Sequence, residues 1–189
     1  QSAAVDVFLA GRATPAYADA LFKSTEGRMM LVGGTGVVGG GADPGDAFSV
    51  GLLHLIGSAM LHQVRGPDDG PISVCLPSRH DSDAVLSAER EAFGLGHDEI
   101  GAEVLAGWHV PPRLCTLVER HHRAAMPDAP ALERVLQIAR TLADSILREE
   151  SDLSRAVDTC AWLSGGILGP MVAESVAERM RSRADALLE

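Results

Sequence analysis

An all-α fold is what this sequence predicts, and three observations carry the prediction. Aromatic residues make up only 4 % of the chain, while hydrophobic residues reach 46 %. A core so poor in rings and so rich in Ala, Leu and Val suits packed helices better than a sandwich or barrel. Leu132, Val135, Leu136, Ala139, Leu142, Ala143 and Ile146 recur at the spacings of one buried helical stripe. Few segments show the apolar–polar alternation of a half-buried strand.

The elements follow in chain order. Residues 1–31 are compatible with helix, with a break near Gly11 and Pro15. Residues 32–45 hold seven glycines from Gly33 to Gly45, and each interior glycine costs a helix about 1 kcal/mol relative to alanine. A kink, local disorder or a non-helical excursion is expected there. Asp46 to about Val64 is apolar almost all round and predicts one central buried helix. Arg65 to Arg79 carries Gly66, Pro67, Gly70, Pro71 and Pro77 and reads as a surface loop.

Asp81 or Ser82 is placed to cap a helix running to Phe93, which Gly94 would end. A helix from about His97 to Trp108 follows, and Pro111-Pro112 opens another that ends near Arg123. Asp128 is a suitable N-cap for the striped helix reaching Glu149. A short helix over Ser154–Leu163 and a last one over Pro170–Leu188 complete the reading. Residues 1–45 are expected to form an N-terminal segment and 46–189 the helical core, together one compact domain.

A formal net charge of −10 argues against non-specific binding to nucleic acid or anionic membrane. No apolar run approaches the roughly 20 residues of a membrane span. Cys75, Cys115 and Cys160 are odd in number, far apart and in no metal-type spacing, which points to reduced thiols in a cytoplasm. The Gly34-Thr35-Gly36-Val37-Val38-Gly39 run has the G-x-G-x-x-G pattern of a dinucleotide loop. Such a loop needs a helix directly after it, and Gly40, Gly41, Pro44 and Gly45 break one, so dinucleotide binding is not expected.

Four ordered stretches carry a resemblance. The first is Ala47-Phe48-Ser49-Val50-Gly51-Leu52-Leu53-His54-Leu55-Ile56-Gly57. The second runs Glu89-Arg90-Glu91-Ala92-Phe93-Gly94 and then His97-Asp98-Glu99-Ile100-Gly101-Ala102. The third is Trp108-His109-Val110-Pro111-Pro112 leading to His121-His122. The fourth is Ala139 to Ala143 followed by Asp144. Together they resemble the HDOD family, a divergent branch of the HD metal-phosphohydrolase superfamily, over about residues 46–146. The resemblance implies an HD-domain-like helical bundle and a role in bacterial signal transduction through a protein partner or self-association. The family places another helical subdomain ahead of this region, and residues 1–45 are expected to be its remnant.

The resemblance also implies where superfamily metal ligands would fall. Thr25 takes the place of the first histidine and Leu55 that of the aspartate paired with His54. The surviving candidate ligands are His54, His97, His121, His122 and Asp144. Each has a plainer reading. His54 suits a buried histidine at a close helix contact, beside Val50, Gly51, Gly57 and Ser58. His97 suits a residue at a helix start, and His121-His122 suits the surface near a helix end. Adjacent helical residues point about 100° apart, so only one of that pair is expected to face a site. Asp144 lies off the apolar stripe, where it suits a surface pair with Arg140. His62, His80 and His109 match no ligand position and read as surface or loop.

A two-metal phosphoesterase clamp needs a bridging carboxylate where Leu55 stands, and leucine binds no metal. The expectation is therefore a signalling domain without efficient hydrolase activity and with no required cofactor. A residual His and Asp set can still hold one divalent ion weakly. The alternative is a metal-dependent phosphohydrolase acting on a nucleotide or cyclic dinucleotide. A third reading, a small-molecule module, needs a closed pocket near His54.

Overall fold

A computed structural model describes residues 41–65, 82–147 and 154–166, together with Met171, Ser175 and Glu178. Among the described residues there is no strand, and the fold is all-α. Seven helices are described: α1 Pro44–Leu53, α2 Ile56–Arg65, α3 Ser82–Phe93, α4 His97–Gly107, α5 Pro112–Glu119, α6 Ala131–Leu147 and α7 Ser154–Leu163. None of them is long and apolar enough to cross a membrane. The glycine run up to residue 40, Thr25, the proline-rich loop and most of the last expected helix lie outside the described residues.

The expected central helix is two helices. His54 and Leu55 form a turn between α1 and α2. Gly51 and Gly57 flank that turn, and glycine disfavours an unbroken helix there. Asp43 caps α1, its Oδ1 accepting the Asp46 N–H at 2.8 Å. The chain partitions into two compact units that meet at this turn in the sequence. One contains His54–His122; the other contains Ser24–Leu53 and Arg123–Glu189.

In the first unit α2 packs on α4, and α4 on α5. The α2–α4 contact is backbone against backbone. A Cβ added to Gly57 would overlap the His97 carbonyl and come within 2.7 Å of the Gly101 nitrogen. Only glycine fits there. Leu105, Leu114, Leu117 and Val118 fill the space between α4 and α5. Gly94, at φ +84°, ends α3 in the left-handed conformation as the sequence predicts.

In the second unit α6 packs against both α1 and α7. Val135, Leu136, Ile138, Ala139 and Leu142 on α6 and Ala156, Val157, Cys160 and Leu163 on α7 are all buried. Each fully buried leucine contributes about 1.5–3 kcal/mol. Burial pushes the Cys160 thiol up to about 12. Two expectations need correction. Asp128 does not cap α6; the Pro130 carbonyl accepts the first N–H groups, from Glu133 at 3.0 Å and Arg134 at 3.1 Å. Arg140 is not at the surface as expected, being only 7 % exposed, and the side chain of Asp144 lies outside the described residues.

Candidate histidine site

The first unit buries polar groups in its core. His54, Glu89, His97, Asp98 and His121 are all buried. Such groups are stable inside a protein only when hydrogen-bonded or paired. The sequence builds the pairing from two consecutive helices. Leu86, Glu89 and Phe93 share one face of α3, which places an acid on the stripe that turns inward. After the Gly94 cap and the short Leu95-Gly96 link, His97 is the first residue of α4.

Glu89 therefore meets both the N-terminus of α4 and the His97 ring. Its Oε2 accepts the His97 N–H at 2.8 Å and lies 2.6 Å from His97 Nδ1. The helix end attracts negative charge, which offsets part of the cost of burying the carboxyl group. Its other oxygen, Oε1, is buried with no hydrogen-bond partner among the described residues. Further along the same turn, Glu99 Oε2 accepts the Gly96 N–H at 2.9 Å, and Arg90 reaches Glu99 at 3.2 Å and Asp98 at 3.4 Å. The Gly96 bond, reinforced by Arg90 and opposed by partial burial, holds the Glu99 carboxyl below the usual range.

With Nδ1 on Glu89, His97 turns Nε2 the other way, and His122 Nε2 lies 2.8 Å from it. His121 donates Nδ1–H to the Val118 carbonyl at 2.5 Å. Rings of His121 and His122 lie 4.0 Å apart, and His54 meets His121 edge-on with centroids 5.2 Å apart. Ring nitrogens of His97, His121 and His122 all fall within 4.8 Å of one another, a grouping able to hold a metal ion.

The structure thus brings four of the sequence candidates together, His54, His97, His121 and His122. The side chain of Asp144 lies outside the described part. The surface reading of the His121-His122 pair is wrong for His121, which is 3 % exposed. The expectation that only one of the pair faces inward also fails. Helix α5 ends at Glu119, so both histidines sit in the turn that follows, where the helical 100° step no longer applies. His109 is exposed, as expected, in a left-handed turn at φ +59°. Glu89 was legible as part of a motif but not as a member of this cluster. The signal for it is an acid on the apolar face of an amphipathic helix.

The donor set can be tested against the metals that the resemblance implies. The donors among the described residues do not make up a dinuclear centre: Leu55 is 4 % exposed and occupies the core as a hydrophobic residue. Glu89, the buried carboxyl group bonded to the cluster, is turned onto Nδ1 and a backbone N–H, where it orients rather than bridges. A single ion fits the three imidazoles. Away from this cluster, the outer side of α4 and α5 carries an open groove of about 840 Å³ lined by Leu95, Ala102, Glu103, Val110, Cys115 and Glu119 among others.

Residues 35–124 match the family model for the HDOD domain. That span contains His54, Leu55 and the whole histidine cluster, and ends before Asp144. No curated protein and no solved structure matches the chain.

Proposed function

With residues 35–124 an HDOD domain, we propose that this chain is a regulatory signalling domain that does not hydrolyse phosphate esters. Leu55 carries this reading. It takes the place of the paired aspartate, and it is buried in the core as an aliphatic side chain. Without a carboxylate there, two ions have no shared ligand to fix their separation, and in-line attack on a phosphate loses its clamp. The helical frame persists because its packing depends on apolar burial rather than on metal.

The domain acts through protein contacts, with a partner or a second copy, in a bacterial cytoplasm. The groove along α4 and α5, with the half-exposed Leu95 in its lining, supports a contact role on that side. The reading requires no cofactor.

The test is an assay of the purified chain with bis(p-nitrophenyl) phosphate and with a cyclic dinucleotide, each with added Mn²⁺. The expected result is no turnover above the protein-free rate. Turnover that disappears in His54→Ala would establish the alternative, a metal-dependent phosphohydrolase.

A further inference from the structure

We infer that His97, His121 and His122 form a mononuclear, all-imidazole site for a divalent cation of the zinc class, with Glu89 as its positioning residue. The inference deepens the reading above, in that occupancy rather than hydrolysis is what such a site offers a signalling domain.

Geometry comes first. Two basic nitrogens 2.8 Å apart, as in His97 Nε2 and His122 Nε2, need a proton or a cation between them. In the neutral pair one Nε2–H donates to the other. A bound ion replaces that bond: His122 then carries its proton on Nδ1, and both Nε2 lone pairs serve the ion. No proton is gained or lost by the pair.

The tautomers are set in advance. His97 places its Nδ1–H on Glu89 and His121 its Nδ1–H on the Val118 carbonyl, so each carries its lone pair on Nε2. Ligating histidines are oriented in this way, by a carboxylate or a carbonyl on the far nitrogen. His97 is fixed further by its place at the start of α4, where its carbonyl abuts Gly57.

Donor chemistry then selects the ion. Three imidazole nitrogens suit zinc, nickel and copper, whereas magnesium and manganese favour carboxylate and water oxygen. Leu55 replaces the superfamily's oxygen donor beside His54, so that hard-ion ligand is gone while the three imidazoles are assembled. His97 and His121 are buried and His122 half-buried, which leaves entry from the His122 side.

The experiment titrates chelator-stripped full chain with Zn²⁺ against a chromophoric chelator, and separately with Co²⁺ followed by visible absorption. One equivalent of Zn²⁺ should bind, a hundredfold excess of Mg²⁺ or Mn²⁺ should not displace it, and Co²⁺ should give the intense d–d bands of a low-coordinate nitrogen site. Glu89→Gln should weaken binding by about 10- to 100-fold and shift the cobalt bands. His122→Ala should abolish the equivalent while keeping a cooperative thermal transition. His109→Ala, outside the cluster, should change neither.

Failure to bind Zn²⁺, tighter binding of Mn²⁺, or indifference to both Glu89→Gln and His122→Ala would overturn the site. Zinc binding with phosphodiester turnover would keep the site and end the non-hydrolytic reading. Absence of both zinc binding and turnover would do the reverse.

Discussion

The two units bury different chemistry. Around α6 and α7 the core is mainly aliphatic, from Val135 to Leu142 on one helix and from Ala156 to Leu163 on the other, with Arg140, Ser145 and Ser164 as its buried polar members. Around α4 the core holds imidazoles and carboxyl groups: His54, Glu89, His97, Asp98 and His121. Aliphatic packing is non-directional and tolerates small shifts, so its cost of damage scales with volume lost. A polar core is directional. Each of its groups is stable only while a particular partner stays within hydrogen-bond reach, so damage scales with partners lost. The first kind of core holds a frame; the second presets a site.

The largest expected effect tests the aliphatic side. Leu136→Ala should cost about 3–4 kcal/mol by cavity formation. The chain's two tryptophans, Trp108 and Trp162, fall in different units. Denaturant unfolding of single-tryptophan variants should show the larger loss at Trp162. Equal loss at both would erase the distinction between the units.

Gly57→Ala comes next, at about 2–3 kcal/mol, because the new methyl group strikes backbone at His97 and Gly101 rather than a movable side chain. It should also disturb the His97 and His122 ring resonances in NMR spectra, which Leu136→Ala leaves in place. Glu89→Gln keeps an acceptor and nearly the same volume, so a purely volumetric core would not register it. The expected loss is about 1–3 kcal/mol, read by urea midpoint, because the bonds to His97 lose their carboxyl partner.

Glu99 gives a smaller effect with a definite sign. Its carboxyl is held below the usual range in the folded state. The stability it adds is therefore present above the unfolded value, near 4.3, and is lost as pH falls through the lower folded value. Both Glu99 and Arg90 are partly exposed, so screening keeps the effect under about 1 kcal/mol. Stability measured between pH 5 and pH 3 should fall less steeply in Glu99→Gln than in the parent chain. Least of all should happen at Cys160. Fully buried, with its thiol pushed up to about 12, it should resist a thiol reagent until the second unit unfolds.

Much of the candidate site was legible from residue types. His54, His97 and the His121-His122 pair stand in ordered motifs, and the structure gathers all four. What misled was helical periodicity applied past a helix end. The 100° rule separates His121 from His122, yet both lie beyond Glu119, where the turn brings the two rings within 4.0 Å. Asp128 misled similarly, since a good capping residue does not act as a cap when the Pro130 carbonyl starts the helix.

By itself the sequence determined the helical class, the α3 and α7 boundaries, the Gly94 stop and the aliphatic face of α6. These depend on contacts within a few residues, where propensity and period act directly. Only the tertiary structure decided that the apolar run is interrupted at His54-Leu55, that Gly57 admits the α4 backbone, and that Glu89 turns onto His97. Those outcomes depend on which helices touch. An apolar residue run has the same pattern interrupted or continuous, and a glutamate has the same letter in water or in a core.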